Sequence, residues 1–509
     1  MPPQLIAIGL IALVFIFVLF GYMTGNVLVH IGVAALPFLI LLLNNPGSWF
    51  VLVLALDRSG LIFPGLPQGL QVVDVMMAGF VGLMIARSII VKPPRIAWTW
   101  SDYFLVALVA VLVLTVAVRG FGIRALGGHL WGGMVYVKLF IAAGFLITAR
   151  QVTLTARQLK ISILLMLALS FLPAVAQLVF TLSRGAIYQQ YMFVHAAVGG
   201  LLGSLDAYEG GAGVVRFHLF TGVSASLFLV ALILFDFRGV RRVPVILFLA
   251  GAIGLAAYSG FRGSIIGIGV SLAVYILLIS RENRIRRILQ LGLVGAVALA
   301  VMIPFIQHMP APIQRAVSFV PFLEISPHVL LDAEYSSQWR VDVWRLAWAE
   351  VPRYLWVGKG FAFDPAVTLS ISVRMDSVLS AFYSHNYHSG PLTLLLDLGI
   401  MGLIAGSGFL IVSTYELIKK SLTFPDHPFL RRCYMAFLAR YVYLVIAFFF
   451  IYGDAQDFIV RAIVTVALLN AIHRTAVRAT SVPDDSLEPE LAKSRPIAPA
   501  YGMLRGVGR

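Results

Sequence analysis

The chain has 509 residues, 60% of them hydrophobic and only 12% charged, with a formal net charge of +15. A water-soluble fold of this length cannot hide so much apolar surface, so the composition points to an all-α polytopic integral membrane protein. The positive charge falls in short clusters between apolar windows, which excludes nucleic acid as its explanation, and the one cysteine, Cys433, excludes an internal disulfide framework or a cysteine metal cluster.

In chain order, the apolar windows predict fourteen spans: roughly 3–20, 26–44, 48–66, 72–91, 102–119, 131–149, 158–182, 216–236, 243–260, 263–281, 286–307, 390–416, 433–452 and 458–473. The first lacks a basic leader and a small-residue cleavage site, so it reads as a retained helix. The third is interrupted by Asp57, Arg58 and the turn-rich "FPGLPQG", so it reads as a broken or re-entrant helix and the count as 12–14. Alternate connections carry the basic residues, among them Arg150 and Arg157, Arg241 and Arg242, Arg286 and Arg287, Lys419 and Lys420, and Arg474 and Arg478. The positive-inside rule then places both termini in the cytoplasm.

Two long segments face the other side. The larger, residues 308–389, holds six Lys/Arg against seven Asp/Glu and many aromatics, so it is an exterior loop domain and not a polybasic patch. The expected organisation is 1–182 and 183–307 as membrane helices, 308–389 as the loop domain, 390–473 as further membrane helices, and 474–509 as a disordered polar tail.

Charges at the outer ends of spans are the candidates for chemistry, because charge at membrane depth is costly. Arg262 sits in the short turn "SGFRG", flanked by Gly260 and Gly263, where the positive-inside rule would not put it; it is either an anchor to lipid headgroups or an anion ligand. Arg340 lies in "RVDVWRLAWAEV". A helix there puts Arg340, Trp344, Trp348 and Val351 on one stripe and turns Arg345 away, so Arg340 needs a buried partner, either Glu334 or a bound diphosphate. Arg216 opens another span and is either an interfacial anchor or a third anion contact. His385 and His388, in "SHNYHSG", cap the span that follows. A neutral imidazole accepts a proton near neutral pH. The i, i+3 pair also suits a metal, but no Asp, Glu or Cys lies between 377 and 396, which leaves only distant donors such as His195 and His218.

The run His388, Ser389, nine residues, Gly399, two residues, Gly402 resembles the H-[N/S/Q]-x9-G-x-x-G signature of the O-antigen ligase and polymerase superfamily. The upstream "SGFRG" and "RVDVW" match that family's arginine turn and R-x-x-x-W helix, with a Gly-Phe insertion between Ser259 and Arg262. The resemblance covers roughly residues 216–405 and implies a GT-C-type membrane glycosyltransferase of the bacterial inner membrane, with a periplasmic site and no cofactor or metal. Its donor would be an undecaprenyl-diphosphate-linked glycan, with the diphosphate on Arg262, Arg340 and Arg216. Its acceptor would be lipid A-core in a ligase, or another lipid-linked glycan in a polymerase. His388 would be the base, while His385, Asn386 and Trp344 would orient it or touch glycan. Gly399 and Gly402 would allow close helix packing. A transporter of lipid-linked glycan is the non-enzyme alternative. It fits less well, because the cations and histidines gather on one face beside one loop and the halves do not repeat.

Overall fold

The computed structural model describes residues 45–61, 70–90, 97–122, 132–175, 214, 216–235, 242–279, 284–364, 366–367, 377–453 and 458–481. The expected spans 3–20 and 26–44, the "FPGLPQG" turn, His195 and residues 482–509 lie outside them. Eight described helices are long and apolar enough to cross a membrane, and four shorter apolar helices accompany them.

Chain order gives α1 (Pro46–Leu56), α2 (Val72–Ile90), α3 (Trp100–Arg119), α4 (Met134–Ala149) and α5 (Ala156–Leu169), then α6 (His218–Leu234), α7 (Arg242–Tyr258), α8 (Arg262–Ile279) and α9 (Arg284–Met302). The long connection that follows holds α10 (Ala311–Val317), α11 (Pro327–Tyr354) and α12 (Ser377–Tyr383). The chain then re-enters the bundle as α13 (Gly390–Leu422), α14 (Pro428–Phe450) and α15 (Val460–Ser481).

The helices begin where local chemistry satisfies their free N–H groups. Asn45 caps α1 ahead of Pro46, and at α5 Thr155 and Gln158 cap each other reciprocally, at 3.2 and 3.0 Å. α1 stops at Leu56, immediately before Asp57, so the weak third span is a helix of about 17 Å and cannot cross alone. α15 runs to Ser481, past the expected start of the tail at 474. Thr475 and Ala476 are buried, and Arg474 Nη2 donates to the last carbonyl of α4, Ala149 O, at 3.1 Å. The helix is packed as far as Ala476, and residues 477–480 continue it exposed.

The main core joins α1–α8 to α13–α15 and includes Phe50 stacked on Phe145 with ring centres 5.3 Å apart. Lipid is as apolar as these side chains, so close packing holds the helices together. Gly408 of α13 shows this, since a Cβ there would lie 2.3 Å from the Phe104 ring of α3. The 308–389 segment has two small cores of its own. One gathers Val343, Ala347 and Val351 of α11 against Tyr387, Leu392 and Leu396, and the other gathers Ile306, Val317, Leu323 and Val329. Through them α11 is seated on the ends of the spans.

Candidate functional site

Gly260, at φ 75, reverses the chain between α7 and α8 and sets Arg262 at the start of α8. Arg262 Nη2 donates to Ala333 O at 2.9 Å and Ser337 Oγ at 3.4 Å on α11. Beside it, fully buried Asp332 accepts from Arg216 Nη2 at 3.0 and 3.2 Å and from Arg315 Nε. Arg315 Nη1 also donates to Gly260 O at 2.6 Å, which ties α10 to the turn. Arg340 follows two turns after Asp332. It is half-buried and makes no hydrogen bond or ion pair with any described residue, Glu334 included. Arg216 and Arg315 thus share one carboxylate, Arg262 lies beside them, and Arg340 feels the Arg262 and Arg216 charges. Burial first, then the neighbouring Arg216 charge, lowers the Arg315 pKa to about 10, and burial with the Arg262 and Arg216 charges lowers that of Arg340.

Arg315 is the cation the sequence reading missed. It sits in an otherwise unremarked "IQRAV", and the only signal for it was a charge among apolar neighbours opposite Asp332. Arg216, an anion contact in the sequence reading, spends its Nη2 on Asp332. The side chain of His218 lies outside the description.

His388 joins this cluster. Its ring lies edge-on to Trp339, with centres 4.9 Å apart, and to Tyr452, at 4.6 Å. Nδ1 is buried without a hydrogen-bond partner among the described residues. Burial, then the Arg340 charge, pushes its pKa down to about 4, so the ring is neutral at physiological pH. His385 faces elsewhere. Its Nδ1 is 2.8 Å from Oδ1 of fully buried Asp397, which also accepts from Tyr387 Oη at 3.2 Å. The expected role of His385 in orienting His388 finds no contact between the two, and its carboxylate partner, Asp397, lies one residue past the 377–396 stretch that holds no Asp, Glu or Cys. Both histidines have left-handed backbones, φ 62 and φ 54, which turn their side chains to different surroundings. Asn386 is held through its backbone N–H on Ala381 O at 2.9 Å, and Trp344 Nε1 donates to Tyr387 O at 2.8 Å.

Two expectations change. The buried face of α11 is Val343, Ala347 and Val351, three, seven and eleven residues after Arg340 and so on its side of the helix, with Trp344 packed against it. Trp348 is 57% exposed, whereas Arg345 points outward as expected. Trp344 and Trp348 instead line a cavity of about 300 Å³ with Ser389, Leu392, Leu395 and Leu403. Gly399 and Gly402 sit at a break within α13, where the chain packs against itself and against the 356–358 segment. Gly399, at φ 74, breaks α13, and a Cβ there would lie 2.6 Å from Trp356 O. At Gly402 a Cβ would lie 2.1 Å from Leu398 Cβ of the same helix. The break frees backbone groups that the 355–360 segment takes up, through Ile400 N–H to Leu355 O at 2.7 Å and Lys359 N–H to Leu396 O at 2.8 Å.

Residues 245–406 match the family model described as O-antigen ligase. No curated protein matches the chain. The matched stretch contains Arg262, Arg315, Arg340 and His388, and it ends within α13, leaving Arg216 outside it.

Proposed function

From a chain that carries an O-antigen ligase domain and so stands in the O-antigen ligase and polymerase superfamily, we propose transfer of a glycan from undecaprenyl diphosphate to lipid A-core at the periplasmic face of the inner membrane. The observation that carries this reading is the arginine cluster, which keeps a surplus of three positive charges around Asp332 with Arg340 uncommitted and His388 beside it.

Arg340 and Arg262 take the diphosphate, since a guanidinium fork matches its oxygens. Arg216 and Arg315 share Asp332 and add long-range positive charge. The acceptor hydroxyl oxygen attacks the anomeric carbon with inversion, its proton passes to His388, and the C–O bond to the diphosphate breaks. The leaving charge grows on oxygens that the arginines already face, so these cations can supply the electrostatic stabilisation of a metal-independent transfer. The apolar cavity under Trp344 and Trp348, adjoining Ser389, suits the first isoprene units of the donor.

The test pairs purified protein with a lipid-linked glycan, with and without lipid A-core. Glycan on lipid A-core, formed in the presence of chelator, is the expected product. Chain lengthening without attachment would make the protein the polymerase of the superfamily, and movement of donor across vesicles with no new glycosidic bond would overturn the enzyme reading.

A further inference from the structure

The exterior segment leaves a group of large apolar side chains on its surface. Phe305, Phe319, Phe322, Leu330 and Leu331 are 44–62% exposed. They come from three stretches of chain, but one small core holds those stretches together. Ile306, Val317, Leu323 and Val329 are buried against one another there, each within two residues of an exposed member. The core takes the inward side chains of one compact unit, and the five exposed ones lie on its outside.

What this surface meets follows from α9. That helix joins the bundle mainly through α8, and Ile285, Leu289, Leu293, Val297 and Val301 form a slowly winding stripe along it at steps of four residues, each more than half exposed. Ile285–His308 is long and apolar enough to cross a membrane, so lipid is what the stripe faces. Arg284, Arg286 and Arg287 put its first turn on the cytoplasmic side. Its 24 residues reach about 36 Å, against a hydrocarbon core of about 30 Å. The step after Val301 is Phe305, in the short 3-10 helix Ile303–His308, so the lipid-facing stripe runs into the apolar group at the level of the outer headgroups. There Gln307 Nε2 donates to Glu324 Oε2 at 2.7 Å, which pairs two polar groups beside the apolar ones. A partner protein would need a shape fitted to side chains from three stretches. A fluid leaflet needs none, and it is already in place beside α9.

We propose that residues 303–331 insert among the lipids of the outer leaflet beside α9, through Phe305, Phe319, Phe322, Leu330 and Leu331, as a wedge that enters one leaflet without crossing the membrane. Asp332 follows Leu331 directly, so the insertion also fixes the depth of the carboxylate that Arg216 and Arg315 share. The wedge does not depend on glycan transfer.

The experiment places nitroxide labels on the full-length protein in phosphatidylcholine vesicles, through Phe319→Cys, Phe322→Cys, Leu331→Cys and, on a polar part of α11 beside Asp342, Gln338→Cys. All four positions are exposed, so cysteine there should not disturb folding. Cys433 is fully buried, and the unchanged protein treated with label is the blank. Collision with oxygen, which concentrates in the bilayer, is compared with collision with a nickel chelate, which stays in water. The oxygen-to-nickel ratio at the three apolar positions should exceed that at Gln338 by about fivefold. Equal ratios at all four positions, spin–spin broadening that puts a second copy against the apolar group, or labels shielded from both reagents, as a cover by another part of the chain would give, would each overturn the proposal.

Discussion

The free imidazole of His388 and the uncommitted guanidinium of Arg340 make the sharpest predictions. The His388 pKa falls from an ordinary 6.5 to about 4, so the ring stays neutral well into acid. The acid limb of kcat/KM should therefore lie near pH 4 and not near 6.5, which a pH profile of transfer will read. The sign for stability follows. Between those two values the unfolded chain binds more protons than the folded one, so this contribution is whole above about pH 6.5 and is lost as the pH falls towards 4. His388→Ala should abolish transfer while leaving the protein folded; retained activity there with loss in His385→Ala would move the base to the histidine held by Asp397. Arg340→Lys keeps the charge but loses the fork. A fall in kcat/KM of about 100-fold is expected, measured with purified donor. Asp332 is different in kind, since Asp332→Ala leaves Arg216 and Arg315 buried without their carboxylate. That should cost about 3–5 kcal/mol, seen as a large drop in melting temperature before any assay of transfer.

At the scale of elements, the break in α13 is the feature most exposed to test. Gly399→Ala meets both a left-handed φ and a 2.6 Å approach to Trp356 O, so it should lower stability by about 1–3 kcal/mol and shift the 355–360 segment, read by unfolding and by proteolysis of that segment. The same residue shows what could be read in the sequence. The "G-x-x-G" spacing marked the two glycines as special, but small residues serve close helix approach and sharp bends equally, and only the backbone angle separates the two uses. Among the described residues, and the broken third span aside, hydropathy placed the spans well because every backbone group in lipid must be satisfied within a helix. It placed Arg262, Arg340 and His388 near one another because topology brings span ends together. It could not find Arg315 or the pairing of His385 with Asp397. The first reaches the site through a helix of about two turns with no periodic signal, and the second depends on a left-handed turn that propensity does not forecast for histidine.

Across the whole molecule, α3 separates two chemistries. Its first turn carries Asp102 and meets Glu416 among the basic loops, while Arg119 at its far end donates to Gly358 O at 2.9 Å and Val357 O at 3.0 Å beneath the long loop. Twenty residues of helix hold these ends about 30 Å apart, the thickness of a bilayer core. The four arginines round Asp332 have a further consequence at this scale. A cluster of four arginines against one carboxylate does not stand bare in salt solution; it keeps small anions, and a donor enters by displacing them. Donor capture is then an exchange of counter-ions. Its apparent KM should rise steeply with ionic strength while kcat holds, and sulfate should compete with donor more strongly than chloride at equal concentration.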